Sequence, residues 1–178
     1  PEEVLYDYML KDEGHAMGMM PIFNYVDGNH DVIREMLLHP QAVSGLSDGG
    51  AHCGMICDAS IPTFMLSHWT RDRTRGEKLP LEWIIKKQTL DTASLYGLSD
   101  RGTLKVGKRA DLNVIDYEAL TLHGPKMAHD LPAGGRRLLQ EATGYDYTIV
   151  AGQVTRDHGK DTGKRPGHSI AGPRKSYK

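Results

Sequence analysis

The sequence predicts an α/β fold that is followed by a β-rich segment. In the N-terminal part, helical and strand-like patterns alternate with short connections, which is typical of β/α units around a parallel sheet. From Gly102 onward, short strand patterns separated by glycines replace the helical ones. We therefore predict two parts, residues 1–101 and residues 102–178, with the boundary near Arg101.

Composition limits the classes of function. The chain has 178 residues, of which 39% are hydrophobic and 25% are charged, as in ordinary globular proteins. The net charge of -1 provides no overall field to attract nucleic acid or an anionic membrane. No apolar run is long enough to span a bilayer. Cys53 and Cys57, with no secretion segment before them, indicate a reducing compartment, and we expect the cytoplasm.

Helix signals recur along residues 1–101. Proline at a first position, acids in a first turn and apolar residues at helical spacing are the signals used here. Glycine or proline ends most of these patterns. The predicted helical segments are residues 1–12, residues 32–37, a segment from Pro62, a segment from Pro80, and a turn capped by Asp91.

Strand signals are of two kinds. Met19–Tyr25 and Ala42–Ser47 are short and apolar, and we expect them in a buried parallel sheet. The later signals lie after Gly102, where we predict a hairpin, an alternating strand, a loop, and two strands joined at Ala-Gly. The hairpin is Thr103–Lys108, the alternating strand is Ala110–Asp116, the loop is Asp130–Arg137, and the two joined strands are Thr148–Thr155. A basic tail that we expect to be extended and mobile follows from Arg156.

Asp48 is the first candidate for chemistry. It follows the predicted strand Ala42–Ser47 and precedes Gly49 and Gly50, which allow a sharp turn. A carboxylate at a strand end is how an α/β protein presents an acid or base at its functional face. Asp-Gly is also among the commonest turn pairs, and these residues alone leave both interpretations open.

The loop after Asp48, Gly49–Ser60, carries His52, Cys53 and Cys57. These three side chains are at best an incomplete set of soft metal ligands, because the sequence has no His-x-His and no Cys-x-x-Cys. Reduced thiols packed in the loop are the favoured interpretation.

Several segments together carry a family resemblance. In chain order they are Ser47-Asp48-Gly49, the helical Thr89–Leu98, the stretch Asp100–Asp116, the Gly-rich Asp130–Gly135, and Val150–Val154. They resemble the C-terminal part of the amidohydrolase superfamily, and within it the D-aminoacylase or N-acyl-D-amino-acid deacylase branch.

The resemblance implies a metal-dependent (β/α)₈ barrel followed by a small β-sandwich. Met19–Tyr25 and Ala42–Ser47 would be barrel strands seven and eight, and residues 102–178 would hold the later half of the sandwich. The implied activity is hydrolysis of an amide bond in a small N-acyl or related substrate, with a divalent metal, commonly zinc. Asp48 would transfer the proton and act as a weak metal ligand, and Gly49, Gly50 and His52 would form the substrate loop.

Two departures from the family pattern shape the prediction. The other metal ligands are expected upstream of Pro1, so we expect a fragment that is inactive alone. It would pair with the N-terminal part of the enzyme or self-associate through exposed strand edges. The loop also lacks the arginine that binds the substrate carboxylate in D-aminoacylases, so this substrate is not carried over.

Two questions stay open at this point. A non-catalytic interaction or scaffold domain that retains amidohydrolase elements is the alternative function. Arg136 and Arg137 are interpreted either as solvated loop charges, which we favour, or as a site for a substrate anion.

Overall fold

The computed structural model describes residues 1–21, 23–45, 47, 49–50 and 52–173. These residues form a mixed helix and strand structure with two compact units, Pro1–His39 and Pro40–Lys178. The domain boundary predicted near Arg101 is a different division, between barrel and sandwich, and it stays a prediction.

The first unit is helical and has no buried residue among those described. Its helices are α1 (Glu2–Met9), α2 (Lys11–Gly14) and α3 (Asp31–Leu38). The predicted α3 is confirmed. The single helix predicted over residues 1–12 instead ends at Met9. The segment α2 is only a tight turn, because Asp12 and Glu13 have φ angles of 52° and 55°, in the left-handed region.

The two strands predicted before Asp48 do not form in the described residues. The described parts of Met19–Tyr25 and Ala42–Ser47 have no strand conformation. A strand requires a neighbour that pairs its backbone N–H and C=O groups, and no described strand lies beside either segment. In the second segment the carbonyl of Ala42 instead accepts a hydrogen bond from the side chain of Lys87.

The second unit begins with two long helical stretches. The first contains a 3-10 turn (Asp58–Ser60), α4 (Ile61–Ser67) and a π turn (His68–Asp72). The second contains α5 (Leu81–Lys86), a π turn (Lys87–Asp91) and α6 (Thr92–Leu95). The helices predicted from Pro62 and Pro80 are confirmed. Asp91 caps no separate turn, because it lies inside the second stretch with helical φ and ψ.

The strands of the second unit are antiparallel. A four-stranded sheet has the order β1 (Leu112–Ile115), β6 (Tyr145–Val150), β7 (Gln153–Asp157) and β8 (Lys160–Asp161). The hairpin at Ala151-Gly152 and the strand within Ala110–Asp116 are confirmed. Two separate pairs complete the β structure, namely β2 (Thr121–Leu122) with β5 (Ala142–Thr143), and β3 (Lys126–Leu131) with β4 (Gly135–Leu139).

Three predictions for the residues after Gly102 are wrong. The tail predicted to be mobile from Arg156 instead begins inside β7, and its residues 160 and 161 form β8, which pairs with β7. Asp130–Arg137, predicted as a loop, is the tip of the β3–β4 hairpin, in which Pro132–Gly134 forms only a short 3-10 turn. Thr103–Lys108, predicted as a hairpin, has no strand and closes only a local turn from Lys108 N–H to the carbonyl of Lys105. The polar and glycine residues of these segments are compatible with both structures, so the outcome depends on whether the flanking residues pair as strands.

The core lies where the first helical stretch meets the β2 region. Trp69, Ile84 and Leu120 are at most 2% exposed. Polar contacts reinforce this junction, since Arg71 Nη2 donates to the carbonyl of Leu120 at 2.6 Å. The hydroxyls of Thr63 and Tyr145 lie 2.8 Å apart, and those of Thr70 and Tyr117 lie 2.6 Å apart.

Gly144 provides a stability test of this junction. Its φ is +97°, and a Cβ placed there would lie 2.6 Å from Leu120 Cα and 2.8 Å from Leu120 N. Backbone cannot move aside as a flexible side chain does, so Gly144→Ala should lower the free energy of unfolding by about 3 kcal/mol. Urea denaturation of both proteins measures the change.

Gly152→Ala is the matched control. Gly152 also has a positive φ, +77°, but a Cβ there would meet open space. Its substitution should cost only the backbone strain, about 1 kcal/mol. Equal losses for the two variants would show that the contact with Leu120 does not matter.

Candidate functional site

Asp48, the predicted proton-transfer residue, lies outside the described residues. The structure describes its neighbours on both sides: Ser47 is half-buried, and Gly49 and Gly50 are exposed. We name the segment Gly49–Ser60 the 49–60 loop. The described residues of this loop and of the segment before Asp48 therefore make up the described part of the candidate site.

The two ends of the 49–60 loop lie against each other. A Cβ placed on Gly49 would be 3.1 Å from the Cβ of Ala59, which is tighter than an ordinary contact. Gly50 has a φ of +104°, where side chains are strained, although a Cβ there would meet open space. The glycines predicted to turn the chain thus have distinct roles, one in close packing and one in backbone conformation.

His52 shapes the backbone of the 49–60 loop. Its φ is 44°, in the left-handed region, and its carbonyl accepts N–H bonds from Met55 at 2.8 Å and Ile56 at 3.0 Å. The residue is exposed. These contacts give His52 a turn-forming role, and no described contact ties its ring to substrate chemistry.

The cysteines of the loop are both free and half-buried. Burial, followed by the charge of Asp58, raises the pKa of the Cys57 thiol, which favours the neutral form over a reactive thiolate. In the described part of the chain, no group of three His, Cys, Asp or Glu side chains is close enough to hold a metal ion. The set His52, Cys53 and Cys57 is therefore not brought together as a metal site.

The β3–β4 hairpin holds the middle of the 49–60 loop, and Gln140, directly after the hairpin, holds its end. Leu138 of β4 donates its N–H to the carbonyl of Cys53 at 2.7 Å. The hydroxyl of Ser60 donates to Gln140 Oε1, and Gln140 Nε2 donates to the carbonyl of His123 at 2.9 Å. The sequence did not indicate these partners, because they lie far along the chain from the loop.

The two arginines left open by the sequence differ in environment. Arg137 makes a two-point bond to Asp130, with Nε to Oδ1 at 2.8 Å and Nη2 to Oδ2 at 2.7 Å. This hydrogen bonding lowers the pKa of Asp130, and both side chains are well exposed. Arg136 is exposed, and its Nε lies 4.0 Å from where a Cβ on Gly54 would be. Arg137 is thus a solvated, paired charge, whereas Arg136 borders the 49–60 loop.

The segment before Asp48 is attached to the second helical stretch. Lys87 Nζ donates to the carbonyl of Ala42 at 2.5 Å, and the hydroxyl of Ser44 donates to the carbonyl of Lys87 at 3.3 Å. The backbone on one side of Asp48 is therefore bonded to the helical stretch, and the 49–60 loop on the other side is bonded to the hairpin.

A cavity of about 770 Å³ lies elsewhere in the second unit. Its lining includes the β6–β7 turn and the paired charges Asp100, Arg101, Arg109 and Asp111, and none of its described lining residues belongs to the 49–60 loop. Arg101 Nε bonds Asp100 Oδ1 at 2.9 Å, and this hydrogen bond lowers the pKa of Asp100, a residue only 8% exposed.

Asp100 should make stability fall in acid. Because its pKa is lowered in the folded chain, its contribution is fully present above its ordinary pKa of 3.8 and is lost as the pH falls below that value. Asp100→Asn should destabilise the chain at about pH 7 and narrow its stability difference from the wild type at about pH 3. Urea denaturation at both pH values measures this.

Glu118→Gln is the control, because it removes an exposed carboxylate from the same unit. Its stability should follow the wild type at both pH values. A gap between wild type and Asp100→Asn that is equally wide in acid would contradict the role assigned to the Asp100–Arg101 pair.

Comparison with known proteins gives one match. The model of the amidohydrolase family matches residues 9–156, which is most of the chain. No curated protein and no solved structure matches the sequence. Among the described helices, none is both long and apolar enough to cross a membrane.

Proposed function

Because the chain belongs to the amidohydrolase family, we propose that it is the C-terminal portion of an enzyme that hydrolyses an amide or related carbon–nitrogen bond. The observation that carries this proposal is the family match over residues 9–156, which spans both Asp48 and the stretch Asp100–Asp116. The family implies a small-molecule substrate. Within the family, the D-aminoacylase-like branch is the one that we propose from the sequence motifs.

Asp48 is the proposed proton-transfer residue. In its ionised form it accepts a proton from the water that attacks the amide carbonyl, and it then donates that proton to the leaving nitrogen. This role requires a carboxylate held at the substrate, and the attachments on both sides of Asp48 support it. On one side Lys87 binds the carbonyl of Ala42, and on the other Leu138 binds the carbonyl of Cys53.

Amidohydrolases generally use divalent metal ions. The described residues of this chain do not gather a group of three ligand side chains, so they do not by themselves fit such a site, and we derive no step through a metal. Zinc remains our proposal for the whole enzyme. Asp48 would be a weak ligand there, and the other ligands would come from elsewhere in the enzyme.

Location and assembly are further proposals. The free thiols Cys53 and Cys57 are consistent with a reducing compartment, and we propose the cytoplasm.

Self-association also stays a proposal, but not through strand edges, because the described parts of Met19–Tyr25 and Ala42–Ser47 form no strand. Exposed apolar side chains such as Met20 and Phe23, both 80% exposed, are the surface that would drive it.

Asp48→Asn tests the proposed chemistry. In the enzyme that contains this chain, the amide side chain cannot accept the proton, so turnover should fall by a factor of at least about 100. The measurement is the steady-state rate for a panel of N-acyl amino acids and other small amides, with the bound metal quantified in parallel so that metal loss is distinguished from loss of the base.

Asp58→Asn is the matched control, because Asp58 is an exposed acid of the same loop. It should retain turnover close to that of the wild type. Near-wild-type turnover of Asp48→Asn with metal retained would refute the proposed role of Asp48. Absence of any turnover in the wild type would instead favour the non-catalytic interaction or scaffold domain.

A further inference from the structure

Lys87 is a buried cation that the proposed chemistry does not use. It is 4% exposed, whereas the side chain of the adjacent Lys86 is 57% exposed and pairs with Asp91. Lys87 lies three residues after Ile84, which is fully buried, so both residues are on the inward face of the second helical stretch. A lysine in this position needs partners, because an unpaired buried charge is strongly unfavourable.

The partners of Lys87 come from one short segment and from its own helix. Its Nζ donates to the carbonyl of Ala42 at 2.5 Å and lies 4.7 Å from the centre of the Trp83 ring. The backbone carbonyl of Lys87 accepts a hydrogen bond from the hydroxyl of Ser44 at 3.3 Å. The side chain and the backbone of one residue thus bind the segment Ala42–Ser44 at two points, with donation in opposite directions.

The π turn makes this double contact available. Lys87 is its first residue, and the carbonyl of Lys87 also accepts a hydrogen bond from Thr92 Oγ1 at 2.8 Å. Such wide turns occur frequently at functional sites in helices. Burial lowers the pKa of the Lys87 ammonium, which shows that retaining the charge here has a cost that its partners must offset.

We infer that Lys87 is a positioning residue, which fixes the segment Ala42–Ser44 and thereby the backbone that leads to Asp48. Ser44 precedes Asp48 by four residues in the sequence. The described residues of this segment have no strand partner, so the contacts with Lys87 replace the lateral hydrogen bonds that a sheet would supply. The catalytic consequence rests on the proposed function of Asp48, whereas the attachment itself does not.

Proteolysis of the full chain tests the attachment. Elastase cleaves after small residues, and it can act both in Ala42–Ser44 and at the exposed Ala151-Gly152 turn. Lys87→Met preserves the apolar stem but removes the ammonium, so cleavage within Ala42–Ser44 should become about 10-fold faster, as expected for loss of a charge-assisted hydrogen bond. Cleavage at Ala151, quantified by mass spectrometry of the same digests, should be unchanged.

Three further variants make the result specific. Lys86→Met, which removes the neighbouring exposed ammonium, should cleave like the wild type. Lys87→Arg, which restores a donor, should recover slower cleavage. Ser44→Ala removes only the weaker contact and poses little risk to folding, and it should accelerate cleavage by a smaller factor, about 3-fold. For this variant only the bond after Ala42 is scored, because the new alanine at position 44 is itself a preferred elastase site. Equal acceleration at both cleavage sites, or none in Lys87→Met and Ser44→Ala, would overturn the inference.

Kinetics then separate this inference from the proposed function. In the enzyme that contains this chain, Lys87→Met should lower kcat with little change in KM, and Lys87→Arg should restore part of kcat. If Asp48→Asn leaves turnover unchanged while Lys87→Met still loosens Ala42–Ser44, the proposed function fails and the attachment stands. If Asp48→Asn abolishes turnover but Lys87→Met does not alter kcat, the positioning role is refuted.

Discussion

The contact between the first helical stretch and the β2 region is the interaction on which the second unit depends. Trp69 and Leu120 are almost fully buried there, and Arg71 closes the edge of the contact by donating to backbone carbonyls that include that of Leu120. Buried backbone carbonyls need donors, and a guanidinium can serve several at once. This contact joins the helical and β structures, and the 49–60 loop leads directly into its first helix.

The candidate site depends on this junction from two directions. The 49–60 loop ends at α4, and its cross-links to Leu138 and Gln140 require the β3–β4 hairpin and the segment after it to stay in register. The segment before Asp48 is bonded to Lys87 in the second helical stretch. The described flanks of Asp48 are thus held by elements that are distant in sequence, so the geometry of these flanks is a property of the whole unit.

The sequence predicted the elements whose determinants are local. Helix α3 follows from apolar spacing within eight residues, and the β6–β7 hairpin follows from Ala151-Gly152 between two β-branched runs. The prediction of strands before Asp48 was wrong, because an apolar run becomes a strand only beside a partner strand. The β3–β4 hairpin was missed at its tip, since Pro132 and the following glycines are equally compatible with a loop.

The site was predicted from the sequence only as far as residue types allow. The carboxylate and glycines of Ser47-Asp48-Gly49-Gly50 indicated acid–base chemistry, but the contacts of Lys87 with Ala42 and of Leu138 with Cys53 follow no periodic pattern. The same limit applies to specificity. The 49–60 loop contains no arginine, yet the guanidinium of Arg136 borders it at Gly54 from β4. The backbone of the 49–60 loop is also hydrogen-bonded to β4, through Leu138. The loop and β4 therefore set the charge and the shape of the surface around Gly54 jointly. A comparison of this surface with that of other amidohydrolases must therefore include β4 together with the loop.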